Sequence, residues 1–168
     1  MKSKQTRLIC IAGIFTALVF VVTAYLHIPT NNGYIHIGDG LIYLAACILP
    51  WQYAMAVGAG GALLADCLTG FAIWAPGSVV IKAVTALLFT NKGKKMMCLR
   101  NCLALIPAAV ICAGGYYLYE SLLYDNFVAP LVGILASITQ SVTSSALFAT
   151  IGLTFDKLNY KSKLIGGL

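Results

Sequence analysis

Of the chain's 168 residues 60% are hydrophobic and only 10% charged, where a soluble domain carries about 25% charged residues. That balance excludes a water-soluble fold and predicts one integral membrane domain over 1–168. The net charge of +6 does not mark a nucleic-acid partner: the basic residues fall in three short clusters between apolar runs, and no basic stripe is interleaved with aromatics. Cys10, Cys47, Cys67, Cys98, Cys102 and Cys112 show no metal-ligand spacing and lie mostly in or beside apolar runs, so they read as small hydrophobes.

A membrane-crossing helix needs about 20 apolar residues, fewer where neighbours cover its ends. Helix 1 is expected at 6–26; its apolar run is too long for the core of a signal peptide. The stretch 30–40, TNNGYIHIGDG, is the long polar interruption of the first half, with turn chemistry at both ends. Helix 2 follows at 39–49 with Asp39 as its expected N-cap. Pro50-Trp51 breaks the run, and helix 3 covers 51–68 up to Thr69-Gly70. An aromatic connector at 71–74 leads to helix 4 at 76–90, opened by Pro76. Helix 5 is expected at 102–119 with a kink at Pro107, and helix 6 at 128–155, followed by a basic tail.

The fold class is therefore all-α, with six transmembrane helices. Of the eleven Lys and Arg residues, all but Lys82 fall in the N-terminal segment, the 91–101 connector or the C-terminal tail. Positive residues mark the cytoplasmic side, so both termini are expected inside and the 30–40 loop outside the cell membrane.

Asp66 and Lys82 are the two charges inside predicted spans, where a lone charge costs about 2.5 to 3.5 kcal/mol. Counted from the outer helix ends at about 1.5 Å per residue, they lie at similar depths, so an Asp66–Lys82 pair is expected, either as a structural clasp or at a wet ligand site. Ala54, Gly58, Ala62 and Asp66 form a small-residue stripe that lets a neighbouring helix come close. Ser137, Gln140, Ser141 and Ser144 share one face of helix 6, and the amide of Gln140 needs a partner at mid-membrane. Tyr116 and Glu120 share a face of helix 5.

No nucleophile motif accompanies His27 or His36, so no catalytic residues are expected. Gly58, Gly60 and Gly61 do not make a phosphate loop, since no strand precedes them and no Gly-Lys-Ser/Thr follows. No cofactor, metal or ATP site is expected in the chain. The candidate substrate-binding set is Asn32, Tyr34, His36, Asp39, Trp74, Lys82, Tyr116, Glu120 and Gln140, aromatics to stack a flat ring and polar groups to fix its edge.

The run 32–87, NGYIHIGDGLIYLAACILPWQYAMAVGAGGALLADCLTGFAIWAPGSVVIKAVTAL, resembles the substrate-binding S components of energy-coupling factor (ECF) vitamin transporters. The likeness is greatest to the group with hydroxymethylpyrimidine, pyridoxine and riboflavin S components. It rests on Gly33-Tyr34, Gly38-Asp39, Ala65-Asp66, Ala75-Pro76 and Lys82. The resemblance implies a six-helix protein that binds a vitamin-like molecule and associates with a transmembrane coupling protein and two ATPases, which use the ATP. It also implies docking through an Ala-x-x-x-Ala pair on helix 1, matched here by Gly13 and Ala17 with Ala12 and Thr16 alongside; Gly13 departs from the pattern. A stand-alone secondary transporter or an outer-face membrane enzyme is the competing class.

Overall fold

Apolar runs punctuated by glycine, proline and one polar stretch fold, in the computed structural model, into helices α1 (Lys2–Tyr25), α2 (Asp39–Ile48), α3 (Trp51–Leu68), α4 (Ala75–Leu87), α5 (Leu99–Leu123), α6 (Leu131–Lys157) and α7 (Tyr160–Ile165). Residues 2–30 and 33–165 are described. Between α1 and α2 the chain forms a two-stranded antiparallel hairpin, β1 (His27–Thr30) and β2 (Gly33–His36), with His27 opposite His36 and Pro29 opposite Tyr34.

α1, α5 and α6 are long and apolar enough to cross a bilayer, and they turn residues such as Ile14, Val132 and Leu122 outwards. A helix that is apolar on every side belongs in an interior, and α2 is the example: all ten of its residues are buried, surrounded by α1, α3, α4 and α6. At about 1.5 Å per residue α2 is only about 15 Å long, half the hydrocarbon thickness. Its N-terminus therefore starts inside the bundle, and the hairpin closes the space above it.

Two close helix crossings fix α2 and α3. A Cβ on Gly58 would meet the carbonyl oxygen of Lys82 at 2.8 Å, so the small-residue stripe of α3 does seat a neighbour, α4. A Cβ on Gly40 would lie 2.5 Å from the carbonyl oxygen of Ser144 on α6. Backbone cannot yield to a methyl group as a flexible side chain can, so Gly40→Ala is expected to cost about 1–3 kcal/mol, read as a lower unfolding midpoint in detergent; an unchanged midpoint would contradict this crossing.

At the far end of α2 the chain is tied together by polar contacts. Asn101 is fully buried; its amide nitrogen donates to the carbonyls of Thr90 and Met96 and its oxygen accepts from the Thr90 N–H. Asp156 accepts the N–H groups of Met96 and Met97 at 2.7 and 2.9 Å. The expected basic tail is in part the helix α7, whose Lys161 is buried and donates to the Gly93 carbonyl at 2.6 Å. Burial pulls that ammonium below the ordinary lysine range. Arg7 reaches the Lys163 carbonyl. The N-terminus of α1, the 88–98 connector, the C-terminus of α6 and α7 thus share one end of the bundle.

Candidate ligand-binding site

The deepest polar contact is an ion pair other than the one the helix depths suggested. Lys82 on α4 pairs with Asp39 at the start of α2, its Nζ 2.8 Å from both carboxylate oxygens. The expected Asp66–Lys82 pair is not formed. The depth count took Asp39 to lie in an external loop; α2 is short, so Asp39 enters at the level of Lys82. Nor does Asp39 cap its helix: it is the first helical residue, and the N-cap position is Gly38, with no side-chain cap bond. A carboxylate in the first turn suits the positive end of the helix dipole.

The pair is 1–2% exposed and well enclosed. Gln140 Nε2 on α6 donates to Asp39 Oδ2 at 3.0 Å, which supplies the partner its amide needed. Cys112 Sγ lies 3.7 Å from Lys82 Nζ, and the Tyr116 ring lies beneath the ammonium at 5.0 Å from its centroid. Buried charge is tolerable only when matched this fully.

The hairpin is held down by two side chains of β2. The Tyr34 hydroxyl donates to Asp66 Oδ1 at 2.5 Å, and its ring packs at 4.8 Å from both His27 and Phe71. Burial first, then the neighbouring Asp66, pushes that phenol up, so it remains a donor at neutral pH. His36 is buried. Its Nδ1 accepts the Gly38 N–H at 3.2 Å, with Thr23 Oγ1 at 3.5 Å, which leaves the ring proton on Nε2. Burial lowers its pKa to about 4, against an ordinary 6.5.

Between the hairpin, α3, α4, α5 and α6 lies a cavity of about 580 Å³ including its open mouth, within the size range of small-molecule sites. Tyr34, His36, Trp74, Tyr116, Glu120 and Gln140 all line it, so expected residues from four separate segments, β2, the 72–74 turn, α5 and α6, converge. Asp39 and Lys82 line a smaller space of about 220 Å³ that shares His36, Asp66, Ser78 and Tyr116 with the first. Asn32 lies outside the described residues. Ser78, Ser137 and Gly133 belong to the lining but not to the expected set. Ser78 sits four residues before Lys82 on one helix face, a spacing that signals it; its Oγ is 3.0 Å from the Tyr116 hydroxyl.

The four residues expected to dock divide. Gly13 and Ala17 are exposed, and a Cβ on Gly13 would meet nothing within 4 Å. Ala12 faces inwards, and Thr16 packs towards α3, 3.4 Å from where a Gly60 Cβ would stand. Gly13 and Ala17 lie about 100° round the helix from Ala12 and Thr16, and it is the Gly13 and Ala17 side that faces out.

The fold is a largely helical membrane protein with an aromatic and polar cavity roofed by a β hairpin, a cavity of the size and lining that suit a small molecule. The family model of the ECF-type riboflavin transporter S component matches residues 3–157. The chain belongs to this family and is a substrate-binding component of an ECF-type transporter. It is a family of transporter components rather than enzymes, and membership implies partnership with an ECF module. No curated protein gives a significant match to the chain.

Proposed function

We propose that this chain crosses the cell membrane six times with both termini in the cytoplasm, and captures a small vitamin or vitamin precursor from outside in the cavity beneath the hairpin. A pyridoxine- or hydroxymethylpyrimidine-like heterocycle is favoured, riboflavin next. The observation that carries this reading is the cavity itself, with Trp74 and Tyr116 among its walls beside acidic and amide groups. Orientation is supported by the basic connectors, since Arg7, Lys92, Lys94, Lys95, Lys161 and Lys163 lie on segments tied together at the end of the bundle away from the cavity.

The coupling protein docks on the exposed α1 face around Gly13 and Ala17, and two partner ATPases, not this chain, hydrolyse ATP. The chain itself holds no cofactor. Extraction of the purified chain and mass spectrometry of what it retains tests the ligand class. A stoichiometric heterocyclic vitamin is expected; a retained lipid, peptide or sugar in its place would overturn the reading.

A further inference from the structure

Asp66 and Glu120 stand out among the cavity walls because each is more than nine-tenths buried and each has one carboxylate oxygen, Oδ2 and Oε2, without a hydrogen-bond partner. Asp39 Oδ1 is also without a hydrogen bond, but it lies 2.8 Å from the Lys82 ammonium in an ion pair, and Oδ2 accepts from Lys82 and Gln140; the free oxygens of Asp66 and Glu120 have no such cation beside them. A buried acceptor left unmatched is costly, so these two oxygens are the atoms a ligand must satisfy. Gly133 leaves room beside Glu120, since a Cβ there would come within 3.4 Å of Oε1.

Charge narrows the ligand further. Lys82 is the one cationic side chain lining either cavity among the described residues, and it is spent on Asp39, 1% exposed. An incoming phosphate or carboxylate would meet two acids and no free cation, in a site of low dielectric where like charges repel strongly.

We propose that Asp66 and Glu120 make this cavity selective for an uncharged or cationic aromatic heterocycle that presents at least two hydrogen-bond donors, and that they exclude its phosphorylated form. The inference rests on the vitamin-binding reading above and adds the chemical form the site accepts. Trp74 and Tyr116 set the ring, Asp66 and Glu120 each take a donor from its edge, and the phosphate ester of the same ring is turned away by charge rather than by size alone.

The test uses the full chain in nanodiscs and equilibrium binding of three matched pairs: 4-amino-5-hydroxymethyl-2-methylpyrimidine, pyridoxamine and riboflavin, each against its monophosphate. At least one free heterocycle is expected to bind, and its monophosphate to bind about ten- to a hundredfold more weakly. Glu120→Gln and Asp66→Asn are each expected to weaken the free form and to narrow that ratio, with unfolding midpoints recorded to show that both fold. A monophosphate that binds as tightly as its parent, or a ratio unchanged in both folded variants, overturns the selectivity while leaving the vitamin-binding reading intact. Absence of binding by all six compounds overturns that reading and this inference together.

Discussion

Lys82→Met is expected to lower stability by about 3–5 kcal/mol, the scale on which breaking a buried ion pair from one side acts. The methionine fills much the same volume, so packing changes little. What changes is that Asp39, 2% exposed, loses the ammonium held against both of its oxygens and keeps the Gln140 amide and the weak Cys112 thiol, neither of them charged. Asp39→Asn combined with Lys82→Met removes both charges and is expected to recover most of the loss, because a neutral amide beside Gln140 needs no counter-ion. Unfolding of the two variants and the parent in the same detergent reads this directly. A single variant as stable as the parent, or a double variant no better than the single, would show that the pair is not the clasp between α2 and α4.

The helices themselves were legible because each apolar run ends in a residue with a physical reason to stop it: Pro50 and Thr69-Gly70 bracket α3, and Pro76 lies in the first turn of α4. The lining of the candidate site was legible as an inventory, since polar side chains in hydrocarbon need a reason to be there. Its wiring was not, because depth along a helix is counted from an assumed surface. Asp39 looked external until the shortness of α2 placed it beside Lys82, although the run 41–49 was too short to span a bilayer alone. Lys161 is the parallel case at the opposite end, a residue of an apparently solvated tail that α7 turns against Gly93. No periodicity in six residues announces that.

Acid is expected to open the hairpin through His36. Closed, the imidazole is held neutral down to about pH 4, chiefly by burial; Lys82 and His27 also disfavour its charge, and Asp39 opposes them without prevailing. Opened to water it titrates near the ordinary 6.5. Below that value the open form binds a proton the closed form refuses, so the open fraction rises by up to about tenfold per pH unit between roughly 6.5 and 4. Above 6.5 both forms are neutral and the effect vanishes. Spin labels at Ile28→Cys on β1 and Val132→Cys on α6, both at exposed positions, report the separation once Cys10 and Cys67, the exposed cysteines, are replaced by serine. His36→Asn keeps an acceptor for the Gly38 N–H and cannot titrate, so its response is expected to be flat. The same acid response in both proteins would assign the opening to another group.

Capture and transport are expected to separate: the cavity needs only this chain, whereas movement across the membrane is expected to need the ECF module. The direct measurement is uptake, into proteoliposomes, of the radiolabelled heterocycle that the chain binds, with the chain alone and with the coupling protein and ATPases loaded with internal ATP. Binding without accumulation is expected for the chain alone, and ATP-dependent accumulation for the complete assembly. Accumulation by the chain alone, driven by an ion gradient or none, would contradict the account and make the protein a stand-alone transporter.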